Sequence, residues 1–304
     1  MSSSRWGPLF VFLFLAAALG AAPGGAQQSS AAAPSVIGLA GSARSDALGG
    51  VGAALMGDAG SLFGNPAGLA TVSNVALETT YRRVAGAGAA VTAAAAARLR
   101  QFDLGLGVKY LGFDSTKLLP SPATQPYELE AVGSLIYRFG LIAFGGSARY
   151  VRTSSPSGRE EALSGDLGLA VAFFDIMAIG FAIQNIDDNW RPESGLRLPR
   201  LSRLGFTMNY VDPQETFRLM SVAEVQWREG MPSRIVLGGE AGVVLRGLGI
   251  LGRAAWRSRS KAIGDPAVTL GGTLALGKIS LDYAYAERDG LGSKAHRAGL
   301  RLAL

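Results

Sequence analysis

A single histidine, His296, with the nearby hydroxyl of Ser293, is the closest this chain comes to a base and a nucleophile. Neighbours on one strand do not make a catalytic site by themselves, so His296 reads as a rim histidine near the start of the last extended segment. Cysteine is absent, which excludes disulfides, zinc–thiolate sites and thiol catalysis. No Walker loop, Gly-x-Ser-x-Gly elbow or paired-histidine motif occurs. Gly50-Val51-Gly52 has the start of a dinucleotide fingerprint, but Leu55 stands where the third small residue belongs and no strand precedes it. The expectation is a non-enzymatic protein with no catalytic residue, metal ligand or cofactor.

The residues with something to position lie between Ala43 and Ala70. Leu48, Val51 and Leu55 fall on one helical face, and Asp46 or Asp58 is placed to cap a turn. Asn65-Pro66 combines an N-cap residue with proline at the first helical position. Glycines at 49, 50, 52, 57, 60 and 64 make such short helices weak alone, so they need a surrounding wall. This predicts a plug inside a wide lumen, with a close-packed linker into the first strand as the alternative.

The wall is written in the rest of the chain. Phe102, Leu104, Leu106, Val108 and Tyr110 alternate with Asp103, Gly105, Gly107 and Lys109. Met177, Ile179, Phe181 and Ile183 alternate in the same way with Ala178, Gly180, Ala182 and Gln184. Period-two alternation over about ten residues marks strands with one apolar and one polar face. Fourteen such segments follow one another, at 73–83, 88–99, 102–112, 127–139, 140–152, 161–173, 175–186, 200–211, 216–228, 233–246, 247–258, 266–276, 277–287 and 295–304. Each is long enough for a tilted transmembrane strand, and the number is even, as closed bacterial barrels require. Tight turns near 139–140, 174–175, 212–213, 246–247 and 276–277 alternate with longer polar stretches at 113–126, 187–199, 259–265 and 288–294. The polar faces carry modest, mixed charge: Glu128, Glu130, Arg138, Arg149, Asp166, Arg203, Glu224, Glu240, Arg253 and Arg301. An interior this wide cannot be filled by Leu and Phe alone, so the apolar band faces lipid. Tyr81, Tyr110, Tyr127, Tyr137, Tyr150, Tyr210, Trp227 and Trp256 lie toward segment ends, as aromatic girdles do. The fold class is all-β: a transmembrane antiparallel barrel of about 14 strands with a short N-terminal plug.

Residues 1–26 have the form of an export signal, with Arg5, an apolar core from Leu9 to Ala18, and Gly24-Gly25-Ala26 before the cut. The expected organisation is a cleaved signal peptide at 1–26, a linker and lumen plug at 27–72, and a barrel at 73–304. Apolar types make up 48% and charged types 17% of the 304 residues, too apolar for a disordered chain. The net charge of +6 invites a nucleic-acid reading. The 29 Lys and Arg residues are scattered singly, whereas a phosphate footprint needs clustered cations, so no nucleic-acid partner is expected.

The run ending Asp58-Ala-Gly-Ser-Leu-Phe-Gly-Asn65-Pro66-Ala67-Gly68-Leu-Ala70 resembles the N-terminal signature of PorV/PorQ-type outer-membrane proteins. These belong with the long-chain fatty-acid transporters in one broad barrel superfamily. The resemblance implies a 14-stranded barrel in the bacterial outer membrane with its N-terminus tucked into the lumen, and marks Asp58, Asn65, Pro66, Ala67 and Gly68 as the motif. This chain has shorter loops than typical fatty-acid transporters, and it ends in Leu304 where barrel proteins usually present an aromatic residue. The implied function is binding or passage of hydrophobic small molecules, in contact with outer-membrane lipid. The alternative is a component of type IX secretion that docks or shuttles exported proteins.

Overall fold

The computed structural model describes residues 33–84, 88–113, 125–156, 158–174, 176–186, 196–212, 216–258, 267–287 and 294–304. The export-signal residues 1–26, Ser293 and most of the long polar connections lie outside the described residues. Fourteen strands follow a short N-terminal segment: β1 (Val75–Val84), β2 (Gly88–Leu99), β3 (Phe102–Gly112), β4 (Tyr127–Phe139), β5 (Ile142–Ser155), β6 (Gly158–Phe173), β7 (Met177–Gln184), β8 (Leu201–Val211), β9 (Phe217–Arg228), β10 (Arg234–Leu245), β11 (Leu248–Arg257), β12 (Val268–Leu276), β13 (Ile279–Ala286) and β14 (Ala295–Ala303). Each pairs antiparallel with its chain neighbours, and β1 pairs with β14 from Ala76↔Ala303 to Val84↔Ala295, which closes the barrel. Closure removes every sheet edge, a condition for strands in a bilayer.

The rim that holds the start of β1 and the end of β14 carries the tight connections. Arg246-Gly247 is a two-residue turn with both φ values positive, at 51° and 84°, the backbone hand that matches strand twist. The opposite rim holds the long connections. Its links at 85–87, 156–157 and 229–233 are nonetheless short, so the alternation of loop length is incomplete.

The wall is apolar outside and polar inside. Along β3, Leu104, Leu106, Val108 and Tyr110 are exposed, Leu106 by 69%, while Asp103, Gly105, Gly107 and Lys109 are buried. Aromatic pairs mark both rims of the outer face: Phe102 tilted against Tyr137 (5.2 Å between centroids) near the short turns, and Tyr110 stacked on Tyr127 (5.7 Å) near the long loops. A soluble barrel places its apolar face inward. This inverted pattern is that of a bacterial outer-membrane barrel.

The N-terminal segment is less helical than its apolar spacing predicts. One helix, α1 (Ala43–Ala47), is followed by single 3₁₀ turns at Ala59–Phe63 and Pro66–Thr71. Gly49 and Gly50 both adopt φ near +80° (81° and 79°), which ends the helix before Val51. Leu48, Val51 and Leu55 do share a cluster, against Met220, Val222 and Val236 of β9 and β10, but they reach it from an irregular backbone.

Candidate functional site

The site is the lumen and the segment that fills it. Residues 33–72 run from the long-loop mouth to the short-turn rim. At the mouth, Val36 and Leu39 pack with Leu111, Val151, Leu196 and Leu198, and the Val36 amide donates to Glu128 Oε2 at 2.7 Å. At the far end, the Ala70 carbonyl accepts from Arg98 Nη2 at 2.7 Å, and the chain turns into β1.

A glycine-rich segment with little regular structure leaves its own peptide groups unpaired, and buried peptide groups must find partners. The barrel supplies them from side chains. Glu224 Oε2 accepts from the amides of Gly52 and Ala53, each at 2.7 Å, and Glu78 accepts from Gly60 at 2.9 Å. Thr269 donates to the Ala47 carbonyl at 2.9 Å, Arg203 to Gly50 at 3.0 Å, Thr207 to Ala54 at 3.0 Å, and Gln184 to Phe63 at 2.7 Å. On β3 to β8 the segment lies directly on strand backbone. A Cβ added at Gly145 would sit 2.6 Å from the Ala67 nitrogen, and one at Gly180 would collide with the Ala53 carbonyl.

Wall charges that looked like a diffuse polar face form pairs. Lys109 meets Glu130 at 3.0 Å and lies 4.3 Å above the centre of the Phe63 ring. Arg149 bridges Glu130 and Asp166, the latter at 2.6 Å, and all four of these side chains are at most 2% exposed. Arg203 pairs with Glu224 at 3.0 Å, and Arg253 with both Glu240 and Asp282. Beside Arg149, Gln184 and Asn185, a cavity of about 10 Å³ remains, room for one water at most.

The motif residues are spent inside this assembly. Asn65 is fully buried: its Oδ1 accepts from the Ala67 amide at 3.0 Å, while Nδ2 donates to the carbonyls of Ala53 (2.6 Å) and Leu169 (3.1 Å). Pro66 occupies the first position of the turn that Asn65 caps. Pro66 and Ala67 lie on Gly145, and Gly68 lies so close to Ser61 that a Cβ there would stand 2.9 Å from the serine Cβ. Asp58 does not cap: it stands at the N-cap of its turn without a side-chain cap bond. It binds Arg44 at 3.0 Å and also Arg301. Asp46 is not a cap either, since Ser42 caps α1; Asp46 faces Arg82 and Arg297 at 3.7 and 3.8 Å. Burial alone would raise the Asp58 carboxyl, but Arg301 and Arg44 outweigh it and hold the group well below the usual carboxylate range. Burial likewise opposes the Arg44 charge, and Glu240 and Asp58 more than restore it.

Arg44 is the site residue that sequence reasoning passed over. The available signal was a cation and an anion, Arg44 and Asp58, inside a segment expected to be enclosed. His296, by contrast, lies on the outer face, with Nδ1 2.6 Å from the Tyr283 hydroxyl and no part in the lumen.

No family model and no curated protein matches the sequence. Solved structures do match the fold. The toluene transporter TbuX of Ralstonia pickettii aligns over 86% of this chain and 98% of its own, with 14% identity and a TM-score of 0.58. The monoaromatic hydrocarbon channel CymD aligns over 86% and 96%, with 11% identity and a TM-score of 0.60. A FadL homologue of Pseudomonas aeruginosa aligns over 86% and 97%, with 12% identity and a TM-score of 0.56. The chain has the fold of these transporter barrels.

Proposed function

We propose that the protein is a plugged outer-membrane channel for small hydrophobic molecules, not an enzyme. The observation that carries this reading is the apolar cluster at the long-loop mouth. There Leu111, Val151, Leu196 and Leu198 gather, and the chain's own Val36 and Leu39 pack against them. Apolar surface of this kind attracts apolar cargo without directional contacts. The likeness to a toluene transporter and a monoaromatic hydrocarbon channel supports a small apolar cargo. The reading includes a leader at 1–26 that is removed, so N-terminal sequencing of the mature protein should begin at Gln27. It also includes a segment at 27–72 that acts as plug for the barrel at 73–304.

Uptake of labelled toluene by cells producing the protein is the test. Entry faster than in cells with an empty vector, and slowed by Leu111→Asp together with Leu198→Asp, is the expected result. Rates equal to the empty vector would overturn the reading. Docking of exported proteins in type IX secretion is the second reading, favoured by the Asp58–Ala70 signature. Co-purification of proteins bearing the sorting domain of that pathway would support it over the first.

A further inference from the structure

We propose that the lumen is a polypeptide-binding site, that residues 43–70 are its resident ligand, and that this ligand exchanges for another polypeptide of the same small-residue type. The wall recognises main chain. Glu224 accepts the consecutive amide protons of Gly52 and Ala53, and Glu78 accepts that of Gly60. Thr269, Arg203, Thr207, Gln184 and Arg98 donate to five carbonyls spread from Ala47 to Ala70. Donors and acceptors at that spacing match the repeating groups of a peptide, which a hydrocarbon lacks.

The second half of the recognition is steric. Gly52 and Gly64 stand backbone to backbone, so that a Cβ at Gly52 would lie 2.9 Å from the Gly64 Cα. The wall is stripped to glycine at 145, 168, 180 and 205 where the segment crosses it. At those crossings the segment presents Ala53 and Ala54, then Asn65, Pro66 and Ala67, all compact residues. The Asn65 amide joins the segment to itself at Ala53 and to the wall at Leu169. Each of these buried bonds is costly to leave unmade, so displacement of the segment leaves Glu224 and Arg203 in need of a replacement that offers the same groups. A second peptide does so. This inference is independent of whether toluene passes.

The test separates the segment from the wall without removing it. Ser73 and Asn74 are exposed, and a flexible linker of about ten residues carrying a protease site is inserted between them. After cutting in detergent, the N-terminal fragment should stay with the barrel through size-exclusion chromatography and leave only on boiling. A fluorescent peptide of residues 43–70 should then exchange in. The same peptide with Asn65→Ala should bind about ten-fold more weakly, and one of scrambled order should not compete. Loss of the fragment on cutting, from a barrel that still migrates differently before and after boiling, would overturn the proposal. So would retention with no exchange, or equal competition by the scrambled peptide.

Discussion

Two walls of one barrel hold the same segment in different ways. From β5 to β8 the segment's backbone rests on the strands at Gly145, Gly168, Gly180 and Gly205, with Gln184 and Arg203 reaching in beside them. From β9 through β14 to β1 the close glycine contacts are fewer, at Gly271 and Gly299, and long side chains, Glu224, Glu240, Arg301 and Glu78, bind the segment's amides and charges. The first wall fixes position by shape, because close-packed contacts tolerate no added volume. The second fixes it by charge, which is strong only while both partners remain in place. A segment too glycine-rich to fold alone acquires its order from both.

Breaking the charged wall should have the largest effect. Glu224→Ala removes the acceptor of two amides and the partner of Arg203. The expected loss is about 3–5 kcal/mol, seen as rapid proteolysis at 43–64 in a barrel that is still inserted. On the other wall, Gly180→Val drives a side chain into the Ala53 carbonyl. It should cost up to about 3 kcal/mol and give a similar digestion pattern with β circular dichroism unchanged. Asn65→Ala sharpens the contrast, since this residue is held by both shape and hydrogen bonds. Loss of its cap costs about 0.5–2 kcal/mol, so protease access at 43–64 should rise less than in either wall variant.

The smallest effect concerns pH. The folded Asp58 carboxyl titrates below its usual value, so its contribution is present above that value and is lost only as pH falls through the lower folded one. Between about pH 7 and pH 4.5, proteolysis around Asp58 by an enzyme active across that range should stay constant. A sharp rise within this window would mean that the bonds to Arg44 and Arg301 do not hold the segment.

The strands were legible because alternation is local: the segment expected at 102–112 is β3, and that at 88–99 is β2. At the long-loop rim β5 and β6 overrun the expected segments, running to Ser155 and from Gly158. There Arg152 and Glu161 pair with each other near the rim, which lets the ladder extend past the apolar pattern. The segment at 43–70 was legible as something needing a wall, but its helical reading failed beyond Ala47. The spacing of Leu48, Val51 and Leu55 suits a helix, whereas the positive φ at Gly49 and Gly50 forbids one. The role of Asp58 was hidden for a different reason. Its partner Arg301 is 243 positions away, and only strand register brings the two together.

That separation has a consequence for assembly. The segment is made before any strand, yet Asp58 finds one of its two arginines on β14, the last strand made. Bringing together residues so distant in sequence is slow, and the closure entropy is borne before any contact repays it. The first part of the chain to emerge is therefore among the last to become ordered. Its seating is a record that the whole ring has been completed: a barrel arrested without β14 would leave Asp58 with Arg44 alone and no grip on the wall, and the segment exposed to periplasmic proteases.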